Sequence, residues 1–420
     1  MSDEKKSILK KLGPGLITGA ADDDPSGIAT YSQAGAMFGF GLLWTLFLSY
    51  PLMVGVQAIS ARIGRVTGHG LATNIRKHYP VWLLYIIVSL LLVANTINIA
   101  ANVAAMGEAL KILVGGPALF YSLCFGIASL LLQIFVPYVR YVRILKWLTF
   151  ALLAYVATVF VIHVPWWEVL KQTVMPPISL EPKYLTTVVA ILGTTISPYL
   201  FFWQASQEVE DIIAAKDDKP LLQAPLQASD NLQRIKLDTL VGMGLSNAVA
   251  FFIILTAAIT LYQQGGKEIQ SATEAAEALR PVAGDFAFWV FAGGIIGTGL
   301  LSVPVLAGSA AYAMAGTFHW KNSLEKEPRA AKKFYAIIAG ATLMGCGLCF
   351  LPIDPFEALY WSAVVNGVVA VPVIVIMMLM ASNSEIMGDF VISGKLKLLG
   401  WGCAVMMMLA VLAMFILSET

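Results

Sequence analysis

"GAADDDPSGIATYSQAGA", residues 19–36, is the stretch on which the reading of this chain turns. Three consecutive carboxylates, Asp22, Asp23 and Asp24, run into Pro25, Ser26 and Gly27, within 420 residues that are 58% hydrophobic with a mean hydropathy of +0.76. Apolar segments of spanning length lie near 13–38, 40–61, 81–110, 117–136, 144–163, 185–207, 238–262, 284–316, 332–351, 356–380 and 398–417. They predict an all-α polytopic membrane protein of eleven transmembrane helices, organised as one transmembrane domain over 1–420. The acids and the proline therefore fall inside the first span, where a carboxylate marks an ion path or a buried partner. Unpaired backbone at that depth is tolerated only around a protein-lined cavity.

A second interruption, "GTTISPYL" at 193–200, carries Gly193 and Pro198 into the sixth span. Breaks in spans one and six take corresponding places if spans one to five (13–163) and six to ten (185–380) are two halves of opposite topology, with 398–417 an extra helix. Transporters built this way bring their broken helices together near the bilayer midplane and present carbonyls and helix ends to a substrate. The expected fold is thus an inverted repeat of five plus five helices, of the leucine-transporter type.

Basic residues fall on alternate sides of this path: Lys5, Lys6, Lys10 and Lys11; Arg62, Arg65, Arg76 and Lys77; Arg140, Arg143 and Lys146; Lys321, Lys326, Arg329, Lys332 and Lys333. They predict a cell-membrane protein with its N-terminus cytoplasmic and its C-terminus outside. The mixed loop at 208–237 carries little orientation signal. "VPWWEVL" at 164–170 reads as an interfacial aromatic anchor, and "KEIQSATEAAEALRPVAG" at 267–284 as a short amphipathic helix on the outer surface. "MSDEKKSILKKLGPG" passes from a charged tail directly into a Gly-rich helix, so no signal peptide is expected.

Several function classes are disfavoured. A net charge of +1 argues against a nucleic-acid partner. Cys124, Cys346, Cys349 and Cys403 lie in apolar segments and read as small buried hydrophobes, and the CxxC spacing at 346–349 has no second pair or soluble βαβ context. His69, His78, His163 and His319 lie away from both breaks, which disfavours a structural zinc site. No GxSxG occurs and no Ser and His share a depth, so no enzyme and no cofactor are expected.

Asp24, directly before the proline, belongs in the unwound segment; the plainer alternative is a structural cap on the second half-helix. Asp22 and Asp23 point to other faces of the first half-helix, where either can line an outward vestibule or protonate under burial. Carboxylate, hydroxyl and carbonyl oxygens are hard ligands suited to Mg²⁺, Ca²⁺ or Mn²⁺.

"GPGLITGAADDDPSGIATYSQAGAMFGFGLLWTLFLS" resembles the first helices of the Nramp family of divalent-metal transporters, whose Asp-Pro-Gly-Asn signature stands here as Asp24-Pro25-Ser26-Gly27. "ILGTTISPYLFF" at 191–202 is similar to the family's sixth-helix motif, with Ser197-Pro198-Tyr199 in place of Met-Pro-His. "RIKLDTLVGMGLSNAVAFFI", "EALRPVAG" and the span layout extend the resemblance over most of the chain. It implies an ion site of Asp24, Gly27 in the asparagine position, Ser197 in the methionine position, and the carbonyls of Ala21 and Thr194. Losing the thioether removes the soft ligand that favours transition metals. The smaller side chains at Gly27 and Ser197 are expected to leave space for water, which Mg²⁺ retains when bound. That pattern is similar to the magnesium-transporting branch related to Nramps.

The family's third helix carries an acidic pair associated with proton passage; "ANTINIAANVAAMGEALKIL" offers Asn95, Asn98 and Asn102, with Glu108 nearer the end. The asparagines also admit a plain reading as interhelical hydrogen bonds. Tyr199, Asn102 and Asn366, with Asp22 and Asp23, are candidates to line the cavity or its vestibule. The expected function is transport of Mg²⁺ or Mn²⁺ by alternating access without proton coupling, with the bilayer as the other partner and the oligomeric state open. The alternatives are a proton-coupled Mn²⁺/Fe²⁺ importer and an organic-solute carrier of the same fold.

Overall fold

A computed structural model describes residues 18, 19, 21–136, 151–215, 217–262, 265, 268–320, 324 and 328–418. The starts of the first and fifth expected spans lie outside these residues, as do Lys5, Lys6, Lys10, Lys11, Arg140, Arg143, Lys146, Lys321 and Lys326. Among the described residues there is no strand. In chain order the α-helices are α1 (Pro25–Phe38), α2 (Leu43–Thr67), α3 (Leu71–His78), α4 (Val81–Val114), α5 (Ala118–Phe135), α6 (Leu153–Val161), α7 (Trp166–Val174), α8 (Pro182–Thr195) and α9 (Pro198–Ala214). They continue with α10 (Ala228–Thr260), α11 (Ala272–Glu277), α12 (Arg280–Ala283), α13 (Ala287–Phe318), α14 (Lys332–Leu348), α15 (Pro355–Ala381), α16 (Ser384–Met387) and α17 (Gly394–Ser418).

Among the described residues eight stretches are long and apolar enough to cross a membrane: α2, α4, α5, α8 with α9, α10 with its preceding turn, α13 with its preceding turn, α15, and α17. The other expected spans correspond to α1, α6 and α14, of 14, 9 and 17 residues among those described. At 1.5 Å per residue the 34 residues of α4 reach about 50 Å, beyond a hydrocarbon core of about 30 Å.

Local chemistry sets the helix ends. Asp24 caps α1, Pro25 supplies the fixed φ of its first turn, and Gly39, at φ +57°, closes it by donating to the Gly35 carbonyl. Asp354 caps α15 by accepting from Phe356 and Glu357 amides. The stretch expected to form one amphipathic helix over 267–284 instead folds as the separate turns α11 and α12. Pro281 is the reason: inside a continuous helix its ring would clash and one hydrogen bond would be lost, whereas at the start of α12 neither cost arises. Ala275, Ala276 and Leu279 are buried, so this segment packs inward as well as covering the surface. α7 keeps Trp166 and Trp167 exposed, as an interfacial anchor requires.

The bundle centre is built from the α8–α9 stretch, whose apolar middle is nearly all buried, and from α1, α13 and α15; α5 and α17 lie at the periphery. Close backbone contact at the centre depends on two glycine pairs. A Cβ on Gly19 would stand 2.9 Å from Gly242 Cα of α10, and one on Gly193 would stand 2.8 Å from Gly367 Cα of α15. Four of the basic residues named above are each held by a neighbour. Arg62 donates to the Phe390 carbonyl (3.0 Å), Arg65 pairs with Asp218 (2.5 Å), Arg76 donates to the Thr317 carbonyl, and Lys333 stands over the Trp320 ring (5.2 Å). Leu221 and Leu222 amides bond the carbonyls of Arg65 and Val66, each at 3.2 Å.

Candidate metal site at the two helix breaks

The helix stops at Asp22, bends at Asp23 and restarts after Asp24, whose backbone is extended (φ −75°, ψ 170°). Asp24 Oδ1 accepts from the Gly27 amide (3.0 Å) and from Ser26 Oγ (2.5 Å), so the plain capping role is present. Oδ2 faces the other way and accepts from Asn102 Nδ2 of α4 (3.2 Å); that amide also donates to Ser302 Oγ of α13 (3.0 Å). One carboxylate oxygen thus serves the helix end while its twin reaches into the space between helices. Capping and ligation are compatible here, because they use different oxygens.

At the second break α8 ends at Thr195, Ser197 is extended, and Pro198 starts α9. Ser197 Oγ lies 2.8 Å from the Gly193 carbonyl and 2.9 Å from the Thr194 carbonyl, so its single proton is committed to the end of α8 while its lone pairs stay available. Tyr199 donates its hydroxyl to the Ala21 carbonyl (3.2 Å), tying the second break to the first. Gly193 rests on α15 at Ala363 and Gly367, with Asn366 next to the contact.

The residues expected from sequence are largely brought together. Ala21, Asp24, Gly27, Thr194, Ser197, Tyr199 and Asn102 all belong to this junction and are buried. Asn366 is fully buried and, among the described residues, neither amide atom has a hydrogen-bond partner, Asp24 included. Two expectations change. Asp22 and Asp23 do not diverge into an open vestibule: both are buried, and both meet Ser246 of α10. Nor does Gly27 leave space for water, because a Cβ there would meet Thr194 Oγ1 at 3.1 Å and the Tyr31 ring at 3.3 Å. The volume lost at position 27 is filled by these neighbours. Among the described residues, no three His, Cys, Asp or Glu side chains converge on one point.

The asparagines of α4 divide in role. Asn95 donates to the Leu306 carbonyl (2.9 Å) and Ser309 Oγ (2.7 Å), Asn98 accepts from Ser362 Oγ (3.4 Å) with its amide also beside Asp24, and Asn102 bonds Asp24 at 3.2 Å. Ser302, Tyr31 and Ser246 were not expected from sequence. Tyr31 had a usable signal: Asp24, Gly27 and Tyr31 are spaced i, i+3, i+7, one face of a helix.

Residues 15–417 match the family model described as natural resistance-associated macrophage protein-like, Nramp. The chain belongs to this family. Among the Nramp chain's relatives is the divalent metal cation transporter MntH of Caldanaerobacter subterraneus subsp. tengcongensis, 26% identical over 406 residues, covering 92% of this chain and 88% of that protein. Among solved structures, the manganese transporter of Eremococcus coleocola, in complex with an aromatic bis-isothiourea substituted compound, superimposes with a TM-score of 0.72 at 19% identity, covering 98% of this Nramp chain and 87% of that one. MhsT in complex with L-phenylalanine gives a TM-score of 0.60 at 14% identity, covering 96% and 98%. These likenesses establish the fold.

Proposed function

We propose that this Nramp protein carries divalent metal cations across a membrane by alternating access, with Asp24 as the charged ligand and Ser197, the Ala21 and Thr194 carbonyls and the amide of Asn102 around it. One observation carries the reading: at the junction of two broken helices a buried carboxylate keeps one oxygen for its helix and turns the other toward the neighbouring helices, where the Asn102 amide donates to it. The names of the relatives support it, one a divalent metal cation transporter and another a manganese transporter.

The donors at the breaks are oxygen atoms with an amide beside them, and no sulfur ligand stands at either break. A hard-cation preference follows, for Mg²⁺ and Mn²⁺ over Cd²⁺. In this reading eleven spans form two inverted halves, 13–163 and 185–380, with 398–417 added. The basic segments face the cytoplasm, which puts the N-terminus inside and the C-terminus outside. Proton coupling is absent, since α4 offers amides where a titratable relay would be needed. The organic-solute alternative is disfavoured because Asp24 repels a substrate carboxylate.

The test is cation uptake into proteoliposomes of the purified protein, read with a metal-sensitive dye. Saturable Mn²⁺ uptake that Mg²⁺ inhibits is the expected result. Failure to move any divalent cation would overturn the reading, and Mn²⁺ uptake indifferent to millimolar Mg²⁺ would overturn the hard-cation preference.

A further inference from the structure

Next to Asp24 the first break holds a second group of oxygens. Ser246 Oγ of α10 lies 2.6 Å from Asp22 Oδ2 and 3.0 Å from Asp23 Oδ1. All three side chains are more than nine-tenths buried, with relative exposures of 1%, 1% and 6% for Asp22, Ser246 and Asp23. A serine hydroxyl has one proton, so it satisfies only one of the two carboxylates at a time. Among the described residues Asp22 Oδ1 has no hydrogen-bond partner.

Charge makes this group more than a polar cluster. Among the described residues neither Asp22 nor Asp23 forms an ion pair with any Lys or Arg. Buried carboxylates without a compensating charge are strongly unfavourable, and a bound cation is one way to relieve that. Two carboxylates match the charge of a divalent cation, whereas Asp24 supplies one negative charge to its own surroundings. The donors are all hard oxygens, carboxylate and hydroxyl, the set that takes Mg²⁺, Mn²⁺ or Ca²⁺. The approach that assembles them is built into the backbone, since the glycine pair Gly19 and Gly242 lets α10 lie directly against the first half-helix.

We propose that Asp22, Asp23 and Ser246 form a second divalent-cation station, distinct from the one at Asp24 and adjacent to it. The proposal rests on the carrier reading above and deepens it: a cation leaving Asp24 has a charge-matched oxygen site immediately beside it.

Equilibrium binding of Mn²⁺ to the purified full-length protein, with free Mn²⁺ followed by electron paramagnetic resonance, tests this. Wild type is expected to bind two Mn²⁺ per chain, and the double variant Asp22→Asn with Asp23→Asn to bind one. Ser246→Ala preserves charge and should weaken the second site at least tenfold while leaving the first unchanged; it also serves if the double variant does not fold. One Mn²⁺ per chain in wild type, or an unchanged stoichiometry in the double variant, would overturn the second station and leave the Asp24 reading standing. Asp24→Asn separates the two: it should retain one Mn²⁺, held at the Asp22 and Asp23 pair, and retention of both would count against Asp24 instead.

Discussion

Replacing Gly27 by asparagine, the residue of the family signature, adds a side chain where the structure leaves no room for one. Gly27 is the third residue of α1, and its added Cβ would lie 3.1 Å from Thr194 Oγ1 of α8 and 3.3 Å from the Tyr31 ring. Two effects compete. Helix propensity favours asparagine over glycine by roughly 0.3 kcal/mol, whereas overpacking a filled interior costs about 1–3 kcal/mol. Steric conflict therefore wins, and Gly27→Asn should destabilise the protein by about 1–3 kcal/mol. Thr194→Ala removes the nearer of the two obstructing atoms, so in the double variant the loss should be partly recovered, with a coupling of about 0.5–3 kcal/mol. The assay is equilibrium unfolding in mixed detergent micelles of wild type, both single variants and the double variant. Gly27→Asn as stable as wild type, or losses that simply add in the double variant, would refute the claim that Thr194 and Tyr31 occupy the space of the missing side chain.

The other predictions concern selectivity, coupling and pH. Ser197→Met places a thioether at the second break and should raise Cd²⁺ uptake relative to Mg²⁺; an unchanged Cd²⁺ to Mg²⁺ ratio in proteoliposome flux would count against the ligand role of position 197. With amides in place of a proton relay, influx should follow the cation's own gradient and the membrane potential, worth about 4.6 kcal/mol per divalent ion for each 100 mV crossed in full. Simultaneous flux and internal pH recordings should then show no stoichiometric acidification of the lumen, and acidification that persists in Glu108→Gln would show a proton route through other groups. His69, exposed after α2 with a ring nitrogen 2.6 Å from Lys77 Nζ, is held below the ordinary histidine value of 6.5 by partial desolvation and then by the Lys77 charge. The folded state binds this proton less readily than the unfolded chain, so stability is lost as pH falls from about 6.5 toward the lowered folded value. Lys77→Met should flatten that loss in melting midpoints taken from about pH 8 to pH 5, and an unchanged profile would contradict the assignment.

The two breaks were legible because their signals are local: Pro25 and Pro198 cannot sit inside a regular helix, and Asp24 beside one of them is costly unless used. The contact between Asn102 and Asp24 was within reach for a similar reason, since an amide in an apolar span must find a partner. What lay beyond the sequence were neighbours supplied by other helices. The meeting of Asp22 and Asp23 at Ser246 depends on how closely α10 approaches, which a glycine pair sets and periodicity does not encode. The filling of the Gly27 position depends likewise on the packing of Thr194 and Tyr31, so a small residue in sequence did not translate into open space. In 267–284 the apolar spacing is helical, but Pro281 restarts the backbone as a second turn, a break that the spacing does not encode.

Asp24→Asn isolates the central claim. The amide is nearly isosteric, and its oxygen can still accept from the Gly27 amide, so the cap on α1 is retained while the charge disappears. Removing one side of a buried charge interaction costs about 2–5 kcal/mol, or roughly 30-fold to several thousand-fold in an equilibrium. In proteoliposomes at matched protein density, saturable Mn²⁺ and Mg²⁺ uptake by wild type should fall by about that factor in Asp24→Asn, with an unchanged melting midpoint. Saturable uptake by Asp24→Asn at the wild-type rate and half-saturating concentration would contradict the assignment of Asp24 as the charged ligand of the transported cation.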